Sequence, residues 1–145
     1  MANALYGKGR EAFLQGSIDW DTDAIKCMLY DATDYTVSID VDQYVNKDTI
    51  PDAARVTNGL SGNFAGKTET LGVADANDIV LTAVTGEECE GIVIGLDAGD
   101  GFVTQSGTND LLIADIDTAT GLPVTPNGGD ITIAWDAGAN KIFKL

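Results

Sequence analysis

Aspartates are the residues of this chain best placed to do chemistry. Asp19-Trp20-Asp21-Thr22-Asp23 sets carboxylates at alternate positions, the opening of a loop that converges oxygens on calcium. An EF-hand needs Gly at the sixth position and Glu at the twelfth, where this chain has Ala24 and Tyr30. The segment therefore reads as a solvated turn, and no metal ligand is assigned to Asp19, Asp21 or Asp23. Asp97, Asp100, Asp110, Asp115 and Asp117 form a second acidic set. Asp115 and Asp117 would share one face of an extended strand, the carboxylate pairing that a glycosidase uses. The sequence supplies neither a partner that would raise a pKa nor a visible cleft, so no catalytic residue is assigned.

Two further fragments fall short of a phosphate loop. Gly7-Lys8-Gly9-Arg10 lacks its spacing, and the stretch ending Gly66-Lys67-Thr68 has Ser61 where the motif needs Gly. Histidine is absent. With it go the commonest general acid/base, the commonest metal ligand and the usual partner of a nucleophilic Ser or Cys. The chain is expected not to be an enzyme and to need no cofactor. Cys27 and Cys89 form no CxxC and no framework; Cys27 lies in an apolar run and reads as a buried thiol.

The elements that must position these residues are constrained by composition. A chain of 145 residues buries about 68–70% of its unfolded surface, enough for a core without staples. Apolar residues make up 44% and charged residues 21%, which argues against disorder. Eight Lys plus Arg against 23 Asp plus Glu give a net charge of −15. Without a cationic cluster, binding to nucleic acid or to an anionic membrane surface is not expected. The acidity reads as solubility and resistance to self-association, or as an outward face that repels neighbours. The opening residues hold no apolar run of signal-peptide length and no stretch approaches a membrane span, so synthesis in a cytoplasm is expected.

Periodicity predicts a helix over residues 3–15, weakened by Gly7 and Gly9 and stopped by Gly16. Strands are predicted at 24–30, at 35–41 by strict alternation of Tyr35, Val37, Ile39 and Val41, at 55–57, 79–84 and 90–96, at 111–116, at 131–135, and at the close of the chain. Ile92-Val93-Ile94 suits a strand buried on both faces. Residues 97–109 read as a long flexible loop. Ile131, Ile133 and Trp135 are predicted core residues, and Leu145 is expected to be packed. The whole is expected to be one mainly β domain over 1–145, an antiparallel β-sandwich or jelly-roll-like fold with one short N-terminal helix. Residues 1–16 form either a short helix packed on a sheet or a candidate docking segment that could be removed from a soluble domain. Its apolar side chains Leu5, Tyr6, Phe13 and Leu14 are the candidate partner-binding residues, because so short a helix needs outside contacts to persist.

The segments ALYGKGREAFLQGSIDW (4–20) and IDTATGLPVTPNGGDITIAWDAGANKIFKL (116–145) resemble a family of small virion proteins of tailed bacteriophages. DATDYT (31–36) and PDAARV (51–56) fit the same pattern. Residues 59–109 depart most from it and read as a variable, insertion-tolerant part. The family is similar in size to head-decoration, or cement, proteins. The resemblance implies a non-catalytic protein on the capsid exterior, with the major capsid protein as partner and self-association, for instance as a trimer. It also leaves room for a tail or neck protein. A glycan- or host-binding module would use Trp20, Tyr35, Tyr44 and Trp135 as aromatic platforms, and a carboxylate hydrolase would use the paired aspartates.

Overall fold

The structure is a computed structural model that describes residues 3–145. It is mainly β, with one short helix. In chain order the elements are β1 (Ala4–Leu5), α1 (Gly7–Gln15), β2 (Ile25–Tyr30), β3 (Arg55–Leu60), β4 (Val73–Ala74), β5 (Ile79–Leu81), β6 (Gly91–Leu96), β7 (Leu112–Ile116), β8 (Ile131–Ile133) and β9 (Phe143–Lys144). An antiparallel five-stranded sheet has the order β1-β7-β6-β2-β3, and β4–β9 and β5–β8 form two separate two-stranded ribbons. The apolar run Gly91–Leu96 occupies the middle of the sheet, and its side chains are buried on both faces, as the run predicts. Tyr30 pairs with Gly91, where an added Cβ would sit 2.4 Å from the tyrosine ring. Glycine at 91 is what lets the ring lie across the strand.

Each sheet face has its own cover. Cys27, Leu29, Ile92, Ile94 and Ala114 face the ribbons and helix α1, meeting Ala12, Trp20, Phe64, Leu81, Ile133 and Phe143 in one core. Trp20 is the hub of this layer, with edge-on rings at 5.9 Å to Phe64 and 5.1 Å to Phe143. The opposite face carries Met28, Tyr30, Val93 and Leu112, and irregular chain covers it: Tyr6, Tyr35, Val45, Ile50 and Phe102. The arrangement is sandwich-like on one side and loop-covered on the other.

Helix α1 begins at Gly7, later than its apolar spacing predicts, because residues 4–5 pair with β7 instead. A Cβ at Gly9 would stand 2.5 Å from the Leu112 carbonyl oxygen, so this glycine sets how closely the helix approaches the sheet. Gly16 ends the helix in the left-handed conformation, and the N–H groups of Gly16 and Ser17 donate to the Phe13 and Ala12 carbonyls, as predicted.

Three expectations fail for local reasons. Residues 35–41 are not a strand. The Asp42 carboxylate accepts from the Ser38 N–H and the Tyr35 hydroxyl and closes a turn there, leaving Val41 74% exposed. The loop at 97–109 is tied down by carboxylates, and Phe102 within it is fully buried. Leu145 is 56% exposed, the burial at that end falling to Phe143. The alternation of 131–135 does hold, with Ile133 buried and Ile131 and Trp135 half-buried against the same core.

Burial ranks the two tryptophans. Trp20→Ala is expected to cost about 3–5 kcal/mol, the range for deleting a buried large aromatic. Trp135→Ala, removing a half-buried ring that stacks on Phe64, should cost about 1–2 kcal/mol. Urea denaturation of both variants checks this; equal losses would overturn the assignment of Trp20 as the hub.

Candidate functional site

The four apolar residues of the N-terminal segment part company. Tyr6 is fully buried. Its N–H donates to the Ile113 carbonyl, and its hydroxyl lies 2.9 Å from that of Tyr35, which donates to Asp42. Leu5 is half-buried on the core, and Phe13 packs against Phe143 with ring centroids 6.0 Å apart. Only Leu14 stands free, 90% exposed near the end of α1. The segment is thus woven into the fold, and Tyr6 has no surface to offer a partner. Sequence reading missed the matching residue, Leu71, which is also 90% exposed. Leu71 has φ 57, the left-handed region that disfavours a leucine. Nothing in the Thr- and Gly-rich stretch around it marked it out.

The sequence neighbours of both leucines touch the last strand and the residue after it. Phe13, beside Leu14, touches Phe143, while the Leu145 N–H donates to the Gly72 carbonyl, beside Leu71. The free edge of β1 and the β9 chain also bound a groove of about 780 Å³, with Arg10, Lys141 and Lys144 among its lining residues. Unpaired strand edges offer backbone donors and acceptors to an added strand. Exposed leucines, open edges and local cations make this end of the molecule the candidate docking face.

The acidic sets resolve differently. In the 19–23 turn, Asp19 Oδ1 accepts from the N–H groups of Asp21 and Thr22, and Asp23 Oδ2 accepts from Asp19. These carboxylates hold the turn and do not converge on a common point. Asp115 is 1% exposed, with Oδ1 bonded to the Tyr30 hydroxyl at 2.8 Å and Oδ2 unpartnered. Burial above all pushes its carboxyl up to about 6. Asp115 and Asp117 do border a cavity of about 310 Å³. The raised carboxyl and the cavity that sequence reading did not find are therefore present, but the buried group is held by Tyr30 and turned from solvent. Asp97, Asp100 and Asp110 do come together, each offering an oxygen within 4.8 Å of the others.

The remaining candidates are structural. Lys67 donates to the Asp23 carbonyl, and only a single 3-10 turn at Thr70–Gly72 follows it rather than an α-helix, so the phosphate-loop reading fails. Trp20 and Tyr35 are buried, leaving Tyr44 and Trp135 as the half-buried aromatics. Cys27 and Cys89 are free and buried, and burial pushes both thiols up to about 12. They are inert thiols at neutral pH. Among the described residues, no helix is long and apolar enough to cross a membrane.

Asp115 gives a pH signature. Its folded pKa of about 6 lies above the ordinary 3.8, so the protonated form favours folding. That stabilisation is complete below the ordinary value and is lost as pH rises through about 6; two units correspond to about 3 kcal/mol at most. Asp115→Asn keeps the Tyr30 acceptor and should reduce the fall in melting temperature between about pH 4 and pH 7, the rest belonging to Asp110, whose carboxyl is also pushed up to about 6. A wild-type slope retained in the variant would show that Asp115 does not titrate in this range. No protein-family model and no curated protein matches this chain.

Proposed function

We propose that the chain is a structural component of a tailed-bacteriophage virion, a decoration protein that binds the outer capsid lattice and stabilises the head without catalysing a reaction. The observation that carries this reading is the pair of leucines at the β9 end, each 90% exposed on a chain of net charge −15. Leucine at φ 57 costs about 1–2 kcal/mol in the free chain, a cost that burial against a partner would offset. The groove between the β1 edge and β9 supports the same reading, because a lattice segment could add there as a strand. The resemblance of residues 4–20 and 116–145 to small virion proteins supplies the setting. Burial of Trp20 and Tyr35 weighs against a glycan-binding platform.

Point variants test this better than truncation, since removing residues 1–16 would also remove β1, Tyr6 and the α1 core contacts. Leu71→Gly relieves the backbone and should leave the isolated chain as stable or about 1 kcal/mol more stable. Together with Leu14→Ser it should sharply reduce incorporation into particles, and particles lacking the protein should release DNA at lower temperature. Lattice interfaces of this kind bury at least ~1,000 Å². Undiminished incorporation of the double variant would sink the docking face. A handful of copies at the neck would favour a tail protein, and robust particles unable to attach to cells would favour host binding.

A further inference from the structure

The loop joining β6 to β7 gathers the carboxylates of Asp97, Asp100 and Asp110. Asp97 is fully committed. Its Oδ1 accepts from the N–H groups of Gly99 and Gly101, both at 2.9 Å, and its Oδ2 pairs with the Lys26 ammonium. Asp100 Oδ1 accepts from the Phe102 N–H at 2.9 Å, and Asp110 Oδ1 from the Ala98 N–H at 2.6 Å. The second oxygen of Asp110 has no partner, although the residue is only 3% exposed. Thr104 Oγ1 is buried beside the Asp100 carboxylate, which it helps to hold ionised. Asp100, Asp110 and Thr104 line one cavity of about 130 Å³, large enough for an ion and a few waters.

A buried carboxylate oxygen without a partner is among the costlier arrangements a protein can hold. A bridging water would give that oxygen a hydrogen bond but would leave its charge uncompensated, with Asp100 alongside. A cation answers both. Lys26 already offsets Asp97, which leaves Asp100 and Asp110 with two negative charges for a divalent ion. The donors are all oxygen, which selects a hard cation. Calcium bonds of 2.3–2.6 Å place opposed ligands up to about 5 Å apart, and the oxygens of Asp100 and Asp110 lie within 4.8 Å of each other. Magnesium, with bonds of about 2.0–2.1 Å and a rigid octahedron, fits this irregular loop less well.

We propose that Asp100, Asp110 and Thr104 bind a calcium ion, with Asp97 and Lys26 fixing the loop around it. Bound there, the ion ties residues 98–104 to the start of β7 and so steadies the loop that covers Val93 and Leu112. The site is independent of the docking face and of any virion role.

Calorimetric titration of the whole chain with calcium chloride should show one saturable site with Kd on the order of 10⁻⁴–10⁻³ M, the range of modules with few charged ligands. Calcium at about 10 mM should raise the melting temperature by several degrees, and magnesium at the same concentration by much less. Asp110→Asn and, on the more open side of the loop, Asp100→Asn should each abolish the saturable site, whereas Asp21→Asn in the separate 19–23 turn should retain it. Asp110→Asn alters a buried group; if that variant fails to fold, Asp100→Asn alone decides between a site and none. No saturable binding to the wild-type chain would overturn the proposal. So would equal responses to calcium and magnesium, or equal calcium responses in Asp100→Asn and Asp21→Asn, since those are the marks of diffuse attraction to an acidic surface.

Discussion

Irregular chain laid over an apolar sheet must find an acceptor for every backbone N–H it buries. Strands satisfy one another, but one face of this sheet is covered by the segments around Tyr35, Val45, Ile50 and Phe102, which have no ladder. Aspartate fills the gap. Asp31 takes the Thr33 N–H, Asp42 that of Ser38, Asp97 those of Gly99 and Gly101, Asp100 that of Phe102, and Asp110 that of Ala98. On the ribbon side, Asp78 takes the Trp135 N–H and Asp130 that of Ala83. A short acceptor that reaches backbone a few residues away is suited to this work, and an ionised one bonds more strongly than a neutral one.

The acidity of the chain therefore has two sources that composition cannot separate. Some carboxylates face water and keep molecules apart; others are internal brackets of the fold. Asp110 and Asp115 show the cost of the second use, since each retains a buried oxygen without a partner and is pushed up to about 6 by its surroundings. Sequence reading saw the aspartates as candidate ligands, as a catalytic pair, as a solvated turn or as surface charge, because their bracket role depends on which backbone N–H groups the fold strands nearby.

The central strands were legible for the opposite reason. Ile92-Val93-Ile94 is apolar and β-branched, and Ile25–Tyr30 is apolar apart from Lys26, with no local polar contact that competes with pairing. At 35–41 the alternation was equally clear, but Ser38 and Asp42 offered the backbone a turn, and the turn prevailed. The candidate docking residues were half legible. Leu14 was marked by an apolar residue near a helix end, whereas Tyr6 looked the same and is a core residue, because two residues of strand precede the helix and draw it inward. Leu71 and the cavity beside Asp110 depend on backbone geometry and on distant loops meeting, which spacing does not encode.

Charge also constrains where a chain like this could meet a partner. Copies carrying −15 repel one another and repel any acidic surface, so close contact is least opposed where cations gather. Three of the eight basic residues, Arg10, Lys141 and Lys144, line the groove between β1 and β9 together with Asp136, Lys141 being paired with Asp75. Lys26 is spent inside the acidic loop, and Lys67 on the 19–23 turn. The fold thus places exposed apolar residues, unpaired strand edges and several of its few positive charges around one ribbon. The carboxylate brackets of the 97–110 loop lie elsewhere, over the other face of the sheet. That division allows one end to approach a surface while the remainder keeps its distance from neighbouring copies.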